Sequence, residues 1–95
     1  MFLLILTYSK PLEEVEPHLP AHMAWVEAHY QDGTFLASGR RVPRTGGVIL
    51  VRAADLATVG TIAATDPFLV AGVAQYDIIE FALSRTAPGF EHLLS

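Results

Sequence analysis

Asp66 and His22 are the two residues whose types most clearly permit proton-transfer chemistry. Asp66 stands in the tetrapeptide Thr65-Asp66-Pro67-Phe68, between a predicted helix and an apolar turn over 69–72. Pro67 fixes the local φ, so the carboxylate is held in a rigid setting. His22 lies much earlier, on a separate predicted helix. An Asp and a His that meet across a fold are the minimum kit for general acid–base work. Each also has a plainer reading. A His beside Met23, Trp25 and Val26 is commonly a hydrogen-bonded core residue, and Asp66 reads as a cap for a turn that starts at Pro67.

Other constellations offer less. His18, His22 and His29 invite a metal reading. His22 and His29 are two helical turns apart, about 10 Å along the helix, too far for one ion. His18 and His22 have a better spacing, but Pro20 lies between them. No HExxH motif and no cysteine supports a zinc site, so no metal is expected. Ser38-Gly39 reads as a strand position near a pocket, either a bulge or close backbone contact or a hydroxyl that donates to a substrate. Nothing nearby marks Ser38 as a nucleophile. The glycines form no dinucleotide or phosphate fingerprint, so no redox cofactor is expected.

The elements that must position these residues follow from pattern. Residues 2–8 read as a strand that is apolar on both alternating faces. One helical turn is predicted over 13–16. A helix follows from Pro20, a residue suited to the first helical position, to about Gln31, where Asp32-Gly33 stops it. Strands are predicted over 34–40 and 48–52, joined by a hairpin connection over 41–47 that carries Pro43 and a Gly pair. A second helix is predicted over 53–64, with Asp55 near its start and Gly60 weakening its middle. The fourth strand is predicted over 75–84, with Asp77, Ile79, Phe81 and Leu83 on one face and Tyr76, Ile78, Glu80 and Ala82 on the other. Residues 85–95 read as a tail that docks through Phe90, Leu93 and Leu94, with a partner subunit as one place for it and the chain's own surface as another.

This order is the split βαβ arrangement. The expected fold is α+β, ferredoxin-like βαββαβ, in one domain over 1–95. A four-stranded antiparallel sheet carries two helices on one face and dimerises through the other. Strands one and three offer apolar side chains to the bare face, and a second copy of the chain is the simplest cover for them. Composition agrees: 52% of the 95 residues are hydrophobic and 17% charged, an apolar balance for a small chain with a large surface.

The formal charge of −4 argues against general nucleic-acid binding. Arg40, Arg41, Arg44 and Arg52 nonetheless cluster around the hairpin. They read either as a solvated face or as a local attraction for an anionic substrate. The apolar run at residues 2–6 is too short for a signal core or a bilayer span. No membrane partner and a cytoplasmic location are expected.

Several short pieces, in order, match a known family. They are Pro20-Ala21-His22, Asp32-Gly33, Ala37-Ser38-Gly39, Gly46-Gly47-Val48, Asp66-Pro67-Phe68, Ala71-Gly72-Val73 and Tyr76-Asp77-Ile78. Over about residues 1–85 the chain resembles the YciI-like, or YCII-related, family. The resemblance implies a dimeric α/β-barrel assembly with an active site built on His22 and Asp66. One family member is described as a dehydrochlorinase of chloroaromatic breakdown. The resemblance also implies that Asp66 accepts a bond from one ring nitrogen of His22, fixing the tautomer and leaving the other nitrogen as a base. One departure stands out: many relatives carry a Pro where this chain has Arg40-Arg41, which implies a more cationic pocket rim.

The reading that results is a small homodimeric enzyme with His22 and Asp66 as its catalytic pair. Ser38, Arg40 and Phe68 are the expected substrate contacts. The substrate is a small cyclic oxygenated metabolite, and the reaction is an elimination or isomerisation. The alternative is a ligand-binding or accessory module in which the same side chains serve as polar anchors.

Overall fold

A computed structural model describes residues 1–94 as a four-stranded sheet in the order β2-β3-β1-β4. The strands are β1 (Phe2–Tyr8), β2 (Phe35–Arg40), β3 (Gly46–Val51) and β4 (Ala74–Glu80). Between them run α1 (Leu12–Val15), α2 (Leu19–Gln31), α3 (Leu56–Ala64) and the single turn α4 (Pro67–Val70). The arrangement is the ferredoxin-like α+β fold. β1 pairs antiparallel with both β3 and β4, and β2 with β3.

β1 takes the centre because both of its faces are apolar. Phe2, Leu4 and Leu6 point to the helices and are buried. With Ile49 and Val51 of β3, Phe35 of β2, Val26 of α2 and Val59 and Ala63 of α3, Phe2 and Leu4 form the main core. Full burial of a side chain such as Phe2 or Leu4 is worth roughly 1.5–3 kcal/mol. A second cluster joins Leu6, Val15, Phe68, Val73 and Ala74, and it seats the α4 turn against the sheet. Leu3 and Ile5 of β1, with Val48 and Leu50 of β3, face the other way and are partly exposed. Ile79 and Phe81 beside them are exposed. No helix among the described residues is long and apolar enough to cross a membrane.

The α2 helix starts at Leu19, with Pro20 in its first turn, and ends where Gly33 takes a left-handed φ of 85°. The α3 helix starts three residues later than composition suggests. Asp55 is its N-cap, and its side chain accepts from the Thr58 amide at 2.8 Å. That bond lowers the Asp55 carboxyl from its ordinary value.

Three sequence expectations are corrected, and the place of the tail is found. The pair Gly46-Gly47 belongs to β3, not to the turn. Gly46 lies so close under β1 that a Cβ there would sit 1.7 Å from the Leu6 carbonyl oxygen. β4 stops at Glu80, opposite Phe2 of β1, with one further bond from the Phe81 amide to the Met1 carbonyl at 3.0 Å. The bulge in β2 falls between Phe35 and Ala37 rather than at Ser38-Gly39. The tail folds back on its own chain: Arg52 Nη2 donates to the carbonyls of His92 at 3.1 Å and Leu93 at 2.9 Å. Arg52 is therefore a tail clamp. Of the tail expected over 85–95, residue 95 lies outside the described residues.

Candidate active site

Asp66 is the hub of the site. It caps α4, where Pro67 at the first helical position fixes the backbone. It is fully buried. Its Oδ1 accepts from the Phe68 amide at 2.9 Å and from His22 Nδ1 at 2.8 Å. Its Oδ2 accepts from the Tyr76 hydroxyl at 2.6 Å. A buried carboxylate is tolerated only when such donors replace its lost hydration.

His22 arrives from α2 and is 8% exposed. Its ring stacks on Phe68, with centroids 4.1 Å apart and planes inclined by 12°. Trp25 lies on α2 one turn further on, 5.7 Å from the imidazole, and is itself tied to Thr65 Oγ1 by its indole N–H at 2.9 Å. The ring is thus held by a hydrogen bond at one edge and by an aromatic plane behind it. A carboxylate only accepts, so the proton in the His22–Asp66 bond sits on Nδ1. In the neutral ring Nε2 then carries a lone pair. Nε2 has no partner among the described residues. Nor is it sealed in, because Arg44 Nε is the only enclosed side-chain nitrogen or oxygen left unpaired among them.

Nε2 belongs to a side chain that lines a cleft of about 380 Å³ between α2 and the β2–β3 side of the sheet. Leu6, Tyr8, Leu19, Met23, Val26 and Ile49 supply its apolar wall. Ser38, Arg40 and Arg44 supply its polar rim. Apolar walls with a few convergent polar groups are the usual makeup of a small-molecule site. Among the described residues no group of His, Asp and Glu is arranged to hold a metal ion.

The sequence-predicted residues fall into three groups. His22 and Asp66 meet, 44 positions apart in the chain. Ser38 and Arg40 lie on the cleft, and the Ser38 hydroxyl also pairs with that of Tyr30. Phe68 is fully buried behind the imidazole, so it backs His22 instead of walling the cleft.

Tyr76 escaped the sequence reading. Its register opposite Leu6 puts it on the helix-covered face, where a buried phenol must find a partner. Burial, then the neighbouring Asp66 charge, pushes the Tyr76 phenol well above its ordinary value. It therefore stays protonated and keeps donating to Asp66. An unfolded tyrosine ionises near pH 10. The stability tied to the folded phenol is complete below about pH 10 and is lost as pH rises beyond it. Tyr76→Phe is expected to cost about 1–2 kcal/mol at neutral pH. Its urea midpoint should also fall less steeply than wild type above about pH 10. Equal slopes would contradict the bond.

Comparison with known proteins agrees with this architecture. The chain is similar to the solved structure of 5-chloro-2-hydroxyhydroquinone dehydrochlorinase (TftG) from Burkholderia phenoliruptrix AC1100, in complex with 2,5-dihydroxybenzoquinone. The TM-score is 0.72 at 20% identity, covering 88% of this chain and 96% of that one. At that identity the likeness speaks to the fold. No match was found among curated proteins. The model of the YCII-related domain matches residues 1–82, and the chain belongs to that family.

Proposed function

We propose that the chain is a small acid–base enzyme in which His22 moves the proton and Asp66 orients it. The observation that carries this reading is the 2.8 Å bond from His22 Nδ1 to the buried Asp66 carboxylate, with the second ring nitrogen left for the cleft. The substrate is a small cyclic oxygenated metabolite. The similarity to a dehydrochlorinase solved with a dihydroxybenzoquinone supports that class. In an elimination, Nε2 takes the substrate proton, the electrons of that bond form a new double bond, and the leaving group departs with its own pair. In an isomerisation the imidazolium returns the proton at another atom. Neither route changes the oxidation state of the protein or calls for a redox cofactor. Ser38 and Arg40 hold substrate oxygens at the rim, while Phe68 keeps the imidazole in plane.

The chain acts as a cytoplasmic homodimer joined through the bare sheet face. Leu3, Ile5, Val48 and Leu50 support this, because they form an apolar surface that the helices leave uncovered. Light scattering is expected to give twice the 10.3 kDa chain mass. Leu3→Lys is expected to shift it to the monomer, and a wild-type monomer would contradict the dimer.

A thermal-shift screen of cyclic organic acids, quinones and polyphenols, followed by product analysis, tests the enzymatic reading. Turnover lost in His22→Asn supports it. Binding with no product across pH 5–9 would replace it with a binding module.

A further inference from the structure

The rim of the cleft carries an asymmetry of charge. Arg40 and Arg44 line it, and no Asp or Glu among the described residues does, in a chain whose formal charge is −4. The neighbouring cations are committed elsewhere. Arg41 Nη1 donates to Thr7 Oγ1 at 3.0 Å, and Arg52 holds the tail carbonyls. The Arg40 side chain makes no hydrogen bond or ion pair among the described residues. Arg44 is only partly satisfied: its Nη1 reaches Glu16 Oε1 at 3.3 Å, but its Nε is enclosed with no protein acceptor.

The Arg44 side chain is partly exposed, so an anion in the cleft can meet the end-on fork of its Nη groups, while the enclosed Nε is out of a ligand's reach. Glu16 is mostly exposed and touches only Nη1, so it orients Arg44 without filling that fork. Arg40 sits on β2 opposite Gly47 of β3, which also lines the cleft. Arg44 is the less exposed of the two, so water screens its pull on an anion less than that of the exposed Arg40.

We infer that Arg40 and Arg44 form an anion clamp, and that the substrate of this chain carries a carboxylate or an ionised enol next to the ring that His22 deprotonates. The inference rests on the acid–base reading for the position of the ring. The clamp does more than bind. A ring held by its anionic group at the rim presents its other edge to His22 Nε2, so the clamp selects which ring position loses a proton. Electrostatic attraction also favours entry of acids over neutral analogues of the same shape.

Calorimetric titration of 2,5-dihydroxybenzoate against 2,5-dihydroxybenzamide tests this. The two probes share a ring and differ in the anionic group. Wild type is expected to bind the acid at least about tenfold more tightly than the amide. Arg44→Gln and Arg40→Gln should each weaken the acid about 5–10-fold and leave the amide within about twofold. Arg44→Lys, which keeps the charge but loses the fork, should recover part of the loss. Equal affinities in wild type, a preference that survives in the double Gln variant, or no binding of the acid at about 10 mM would each overturn the clamp. His22→Asn separates the two readings. It should keep the preference for the acid while losing turnover. A clamp without proton transfer would sink only the acid–base reading, and turnover indifferent to the acid group would sink only the clamp.

Discussion

Asp66→Ala is expected to lower stability by about 4 kcal/mol, the largest loss of any single substitution considered for this chain. The side chain accepts from three donors: the His22 ring, the Phe68 amide and the Tyr76 hydroxyl. Alanine leaves all of them without an acceptor in a fully buried place. A stranded buried donor costs about 1–3 kcal/mol, and these losses overlap because the donors share one acceptor. The N-cap of α4 goes at the same time, worth about 1 kcal/mol. Against a total stability of roughly 5–15 kcal/mol, the variant is expected to sit close to unfolding at physiological temperature. The urea midpoint measures this. A midpoint within experimental error of wild type would mean that Asp66 is not the hub described. Asp66→Asn separates structure from chemistry. Its amide oxygen still accepts from Phe68, so stability should fall by only about 1–2 kcal/mol. The same oxygen position also accepts from His22 Nδ1, so the ring tautomer is kept; the amide N–H faces the Tyr76 hydroxyl, and what is lost is the negative charge that stabilises the imidazolium.

His22→Asn is expected to reduce kcat about 10²–10⁴-fold on any oxygenated ring compound that wild type turns over. Asparagine keeps an N–H that can reach Asp66, so the melting temperature should change little by comparison. The split between kcat and stability is the diagnostic. A purely structural His22 would lower stability and leave kcat per folded molecule intact. The pair is cooperative, so the double variant with Asp66→Asn should be little slower than His22→Asn alone. Additive losses would indicate that the two residues act separately.

Much of this arrangement is legible in the chain because hydrophobic pattern and breakers coincide. β1 is apolar on both faces, and this marks it as central. Gly33 and Pro20 bound α2 from either end. Pattern fails where a local signal competes with a distant neighbour. Gly46-Gly47 looks like a turn by composition, yet Gly46 is glycine because the Leu6 carbonyl leaves no room for a Cβ. Alternation continues through Phe81 and Leu83, yet β4 ends at Glu80, opposite Phe2, and only the Phe81 amide pairs beyond it, with the Met1 carbonyl. Asp55, a cap rather than a first-turn residue, delays the start of α3.

The site divides in the same way. His22 and Asp66 stand out by type, but spacing alone does not join residues 44 positions apart. Family resemblance supplies that link, and the α4 turn shows its cause: Asp66 is fixed by its own cap bond and faces α2. Tyr76 is visible only once the register of β4 against β1 places it on the covered face. The division of labour among the arginines is a tertiary property. Four basic residues near one hairpin become one cleft cation, one partly paired cleft cation, one strand tether and one tail clamp.

The central claim is that Asp66 holds the His22 proton on Nδ1 and leaves Nε2 as a base. Long-range ¹H–¹⁵N correlation of the imidazole rings, above the pH at which histidine titrates, measures this without a substrate. The account predicts a protonated Nδ1 and a bare Nε2 for His22 in wild type. A wild-type ring with its proton on Nε2 would contradict it.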